Sequence, residues 1–139
     1  MKKLDLVLLV DDCKATNFVH RLLIDNYGFA KQVDEVGNGV EALDYLTERV
    51  EGGYRQPDLI FLDINMPKMN GWEFLDAYQL LPEEQKAGAV VVMLTTSLNP
   101  SDKEKADSWD TIKGFSSKPL DEQKLTDVLN LYFPECVAK

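Results

Sequence analysis

Histidine occurs once in these 139 residues, at His20, and cysteine only twice, at Cys13 and Cys136. The two cysteines stand far apart without metal-ligand spacing, and a disulfide framework in a small secreted chain would need more of them. Reduced thiols are the expectation. Basic side chains are also scarce: 15 Lys and Arg face 24 Asp and Glu, giving a formal net charge of -9. A polyanion would be repelled over most of such a surface and no Lys/Arg run offsets this, so neither nucleic acid nor an anionic membrane is an expected partner. No apolar stretch approaches the ~18 residues that span a bilayer. Met1-Lys2-Lys3 ahead of Leu4 to Val10 has the outline of a signal peptide. Its apolar part is broken by Asp5, ends on Asp11-Asp12 and lacks a small-residue cleavage site. It reads as a buried strand, and cytoplasm is the expected location.

The hydrophobic share of 45% and charged share of 28% belong to a globular chain. Residues 1–139 read as one domain, with no room for a separate output domain. Apolar runs at Leu4 to Val10, Leu59 to Leu62, Ala89 to Leu94 and, more weakly, Ile112 to Ser117 predict strands, with a further one at 31–36 around Val33 and Val36. Helical patterns lie between them. Phe18, Val19, Leu22 and Leu23 share the predicted core face of the first, which Gly28 closes. Leu43, Leu46 and Val50 mark the second, after an Asn38 cap with Glu41 three residues on. Phe74, Leu75, Tyr78 and Leu81 mark the third. Asn99-Pro100 opens a short fourth, and Leu125, Val128, Leu129 and Tyr132 stripe the fifth.

Strict alternation of strand and helix predicts an α/β fold: a doubly wound five-stranded parallel sheet, (βα)5, of the flavodoxin-like type. In such a sheet every strand delivers its last residue to one edge, where ligand sites form. The strand ends read Asp11-Asp12, Asp63, Thr95-Thr96 and Lys118-Pro119. Each has an ordinary explanation alone, as a helix cap, a β-former or a solvated charge. Together they converge. Clustered carboxylates repel one another unless a cation intervenes, and Mg²⁺, which pairs one or two carboxylates with water and phosphate, suits the set.

In this combination the chain resembles the receiver domains of two-component response regulators, the chemotaxis-type single-domain fold. The likeness rests on Asp11-Asp12 after the first strand, Asp63 within FLDINMPKMNG, Thr95 within VVMLTTS, and Lys118-Pro119. It implies that Asp63 accepts a phosphoryl group, that Asp12, Asp63 and the Asn65 backbone carbonyl ligate Mg²⁺ with Asp11 acting through water, and that Thr95 and Lys118 contact the phosphoryl oxygens. It further implies a switch pair, Thr95 and Phe115, and a cis peptide at Lys118-Pro119. The implied partners are a sensor histidine kinase or phosphotransfer protein upstream and a protein target downstream. The face of the fourth helix, fifth strand and fifth helix would change contacts, and is the candidate surface for a homodimer. A lone His20 reads as an ordinary helix residue, Trp72 and Trp109 as packing residues, and Cys13 as a thiol whose ionisation the neighbouring carboxylates oppose. The chain departs from the pattern at Thr111-Ile112, where relatives carry small residues, and in a long connection over 48–56.

Two other readings use similar parts. A haloacid-dehalogenase-type phosphohydrolase shares the carboxylate nucleophile, Mg²⁺, Thr and Lys, but wants an Asp two residues after the nucleophile, where Asn65 stands. A flavodoxin-like FMN carrier wants a hydroxyl- and glycine-rich loop after the first strand, where the sequence is DDCKATN.

Overall fold

The structure is a computed structural model, and it describes residues 3–82, 90–96, 99–110, 112–118 and 120–136. Ala89, Thr111 and Pro119, with the geometry expected of the Lys118-Pro119 bond, lie outside the described residues. Five strands make one parallel sheet: β1 (Val7–Val10), β2 (Val33–Val36), β5 (Leu59–Asp63), β6 (Val90–Thr95) and β7 (Ile112–Ser117), in the order β2-β1-β5-β6-β7. A separate antiparallel ribbon is formed by β3 (Arg49–Val50) and β4 (Gly53–Tyr54). Among the described residues the α-helices are α1 (Lys14–Tyr27), α2 (Gly39–Thr47), α3 (Gly71–Tyr78), α4 (Pro100–Asp107) and α5 (Glu122–Tyr132).

The near-continuous apolar strands follow from burial on both faces. Val7, Leu9, Phe61, Val92 and Leu94 point into one core with Ile24, Leu125 and Leu129. Leu8, Val10, Ile60, Leu62 and Met93 alternate into the other with Leu46, Phe74, Leu75 and Ala106. Helix starts are set by the capping residues. Asn38 accepts from the Glu41 backbone N–H at 3.0 Å, and Asn70 forms a reciprocal box with Glu73. Asn99 accepts from Ser101 N–H at 2.8 Å ahead of Pro100, and Asp121 accepts from Lys124 N–H at 2.8 Å.

Two expectations are corrected. The second helix ends at Thr47, so Val50 belongs to the β3–β4 ribbon rather than to the α2 stripe. Gly52 and Gly53, both at positive φ, turn the long connection into a hairpin. The larger correction concerns α1, whose buried residues are Asn17, His20 and Ile24. Phe18, Val19 and Leu22 are 58%, 51% and 47% exposed. Polarity misjudges the phase of this helix, because Asn17 and His20 find backbone partners inside that a sequence pattern does not reveal.

Candidate functional site

Strand register brings the polar strand ends into one row. Val10 pairs with Leu62, Asp63 with Leu94, and Thr95 with Ser117. Asp11 therefore leaves β1 beside the end of β5, while Lys118 leaves β7 beside Thr95. The Lys118 N–H donates to the Thr95 carbonyl at 2.7 Å, which holds the lysine at the sheet edge. Its Nζ then reaches Asp11 Oδ2 at 2.8 Å and Asp63 Oδ1 at 3.1 Å.

Asp11, Asp12 and Asp63 each offer a carboxylate oxygen, all within 4.8 Å of one another. Asp11, Asp63 and Thr95 are buried, whereas Asp12 is open to solvent. Burial, then the charges of Asp11 and Asp12, push the Asp63 carboxyl above its ordinary range, against the opposing pull of Lys118. Burial alone would lower the Lys118 ammonium, but its bonds to Asp11 and Asp63 outweigh that and leave it raised. Three carboxylates thus cluster around one ammonium, which pairs with two of them. The mismatch of charge and the oxygen donors fit a hard divalent cation such as Mg²⁺.

The remaining predicted residues lie around this cluster. Asn65 is exposed two residues beyond Asp63. Phe115, half-buried opposite Met93, packs with the core cluster that includes Trp72 and Ala106. Cys13 is exposed, and its thiol is lowered rather than raised, because hydrogen bonding with Thr16 outweighs the charge of Asp11.

The loop after Asp63 is held by several contacts. Lys68 adopts φ 64°, and Gly39 N–H donates to the Met69 carbonyl at 3.2 Å. Gly71 N–H donates to the Ile64 carbonyl at 2.8 Å. A Cβ on Gly71 would lie 2.6 Å from the Asp63 carbonyl oxygen. Backbone cannot yield as a flexible side chain does, so Gly71→Ala is expected to lower the urea-unfolding free energy by about 1–3 kcal/mol. Unchanged stability would show that this approach can relax freely.

Two further residues lie beside the site: Asn17, to which the sequence pattern assigns nothing, and His20, which it reads as an ordinary helix residue. Asn17 Nδ2 donates to the Asp11 carbonyl at 3.0 Å and the Val36 carbonyl at 3.4 Å. His20 Nε2 accepts from Leu120 N–H at 3.1 Å. The only available signal was two polar residues three apart, in phase with Ile24. A cleft of about 670 Å³ opens over this region, lined by Asp11, Asp12, Asn17, Phe18, Glu41 and Pro67 among others.

Fold and site define a doubly wound α/β domain with an acidic, lysine-bridged pocket at the carboxyl edge of its sheet. The family model for the response regulator receiver domain matches residues 7–130. A two-component response regulator from Cytophaga hutchinsonii superposes with a TM-score of 0.86 at 34% identity, covering 96% of this chain and 99% of that one. The chemotaxis protein CheY of Halobacterium salinarum is 31% identical over 125 residues, which are 89% of this chain and 92% of that protein. A probable methanogenesis regulatory protein, FilR2 of Methanothrix harundinacea, is 32% identical over 120 residues, 86% of this chain and 76% of that protein. Some relatives are much longer, and the chain spans 24% of a protein-glutamate methylesterase/protein-glutamine glutaminase from Hahella chejuensis.

The chain belongs to the response regulator receiver domain family. It is a signalling domain of two-component systems rather than a metabolic enzyme, which sets aside the phosphohydrolase and FMN-carrier readings. Among the described residues no helix is long and apolar enough to cross a membrane.

Proposed function

We propose that the protein accepts a phosphoryl group on Asp63 and passes on its phosphorylation state by binding another protein. The observation that carries this is the Lys118 ammonium shared between Asp11 and Asp63 within the three-carboxylate cluster. An ionised Asp63 oxygen attacks phosphorus, forming the O–P bond of an acyl phosphate. The P–N bond of a phosphohistidine donor breaks, and its electron pair leaves on the imidazole, which takes up a proton. Such a transfer needs alignment and charge neutralisation more than covalent assistance. Lys118 stands where it would neutralise a phosphoryl oxygen, and the Thr95 hydroxyl would meet another. Mg²⁺ bound by Asp12, Asp63 and the Asn65 carbonyl, with Asp11 behind a water, would supply further neutralisation.

The added charge of roughly -1.5 to -2 calls for rearrangement around the acceptor. Thr95 and Phe115 are the proposed switch, since the neighbouring strands β6 and β7 carry them, Phe115 opposite Met93 two residues before Thr95, and Phe115 is only half-buried. Their movement would alter the face made by α4, β7 and α5, which includes Asp102, Lys105, Lys113 and Lys124. The upstream partner is a sensor histidine kinase or phosphotransfer protein, and the downstream one a protein target or a second copy bound through that face. The expected setting is the cytoplasm, where such kinases present phosphohistidine.

Incubation with Mg²⁺ and acetyl phosphate, followed by peptide mapping, is expected to give one acid-stable, hydroxylamine-sensitive phosphate, on Asp63. A label on any other residue would overturn the acceptor assignment.

A further inference from the structure

Two of the three buried residues of α1 are polar, and both bind backbone belonging to the site. Asn17 ties α1 to the ends of β1 and β2. His20 reaches the other side of the pocket. It is 1% exposed, and its Nε2 accepts from the N–H of Leu120, a residue that is itself buried and lies two positions after Lys118. Because Nε2 accepts, the ring is neutral and its proton sits on Nδ1.

Leu120 is a consequential place to hold. Position 119 is proline and has no N–H to donate. Between positions 118 and 120 the backbone donors are therefore those of Lys118 and Leu120. The first bonds to Thr95 and the second to His20. One anchor belongs to β6 and the other to α1, so Lys118 and Leu120 are each tied to a different element. Lys118 itself spans two carboxylates, and its long, flexible stem gains precision only from a fixed backbone.

We infer that His20 is a positioning residue for Lys118, its Nε2 lone pair anchoring the Leu120 backbone, two positions from the ammonium held over Asp63 during phosphoryl transfer. The inference rests on the proposed acceptor role of Asp63. His20 touches neither donor nor acceptor and acts only through the lysine.

That dependence is testable by a double-mutant cycle on acetyl phosphate-driven acylation. His20→Leu removes the acceptor and is expected to slow labelling of Asp63 about tenfold, the scale of a modest misplacement of a reacting group. In a Lys118→Ala background the same substitution is expected to change the rate less than about twofold, because there is no ammonium left to position. His20→Gln, which restores an acceptor oxygen, is expected to recover most of the rate. An equal tenfold loss with and without Lys118 would show a general structural role and overturn the inference.

The native protein gives a second, activity-independent test, useful where His20→Leu does not fold. Mg²⁺ held by the carboxylates would compete with Lys118 for Asp11 and Asp63, and titration with Mg²⁺ alone is expected to loosen those pairs. The ¹⁵N resonance of His20 Nε2 is expected to shift with it through the Leu120 bond, and a resonance that stays fixed would overturn the coupling. Should wild-type Asp63 take no label while the His20 resonance shifts, the acceptor reading falls, and the link between His20 and Lys118 stands.

Discussion

Asp63→Asn is expected to abolish hydroxylamine-sensitive labelling and, in the metal-free protein, to make the fold more stable. The loss of label follows from chemistry, since an amide oxygen cannot form the acyl phosphate. The gain in stability follows from the site's charge. The Asp63 pKa is raised in the fold above its ordinary 3.8, by burial first and then by Asp11 and Asp12. A carboxyl whose folded pKa lies above its unfolded one binds its proton more tightly in the native state. Stability then falls as pH rises from the unfolded value through the folded one. At neutral pH the ionised side chain is a net cost, and asparagine removes it. The expected gain is on the order of 1 kcal/mol, about 3–5 °C in thermal midpoint for a chain of this length. The difference should shrink as pH is lowered toward 3.8, the ordinary value for this carboxyl. A less stable Asn variant at pH 7 in the absence of metal would contradict this electrostatic account.

Lys118→Ala acts in the opposite sense on stability and more severely on rate. Asp11 and Asp63 are buried and share this ammonium. Removing one partner of a buried ion pair typically costs about 3–5 kcal/mol, and the expected loss sits near the lower figure because the pocket opens toward exposed Asp12. The rate of labelling by acetyl phosphate is expected to fall about 10²–10³-fold, the scale seen when a preorganised donor to a developing oxyanion is removed. Mg²⁺ affinity is expected to rise, because a competing cation has left the carboxylates. Stopped-flow labelling and a metal titration on the same variant separate these effects. Near-normal rates would show that Lys118 holds the resting site together without serving the transfer. Lys118→Arg is not expected to restore activity, since a planar fork does not occupy the place of a compact ammonium.

Much of this arrangement was legible in the chain. Apolar runs of strand length ending on Asp11, Asp63, Thr95 and Lys118 located the sheet edge, because parallel topology sends every such residue the same way. Asn38 with Glu41, Asn99 with Pro100, and Leu125, Val128 and Leu129 located helix starts and faces by local chemistry. Where local chemistry was not decisive, the reading failed. Periodicity places Val50 on the α2 stripe, yet Gly52 and Gly53 just beyond it turn the chain into a hairpin. Phe18, Val19 and Leu22 form a convincing apolar stripe, and the fold leaves it exposed.

Apolar run length alone marks which residues stand at the carboxyl ends of the strands, and their identities supply carboxylates, a hydroxyl and an ammonium. Order along the chain and hydrophobic run length are properties of neighbours within a few positions. The direction in which α1 faces is settled by long-range packing, since it depends on Asn17 and His20 finding carbonyl and amide partners contributed by Asp11, Val36 and Leu120. Hydrogen bonds spanning 100 residues, like that from Leu120 to His20, leave no periodic trace, and burial of polar groups is favourable only once such partners are in place.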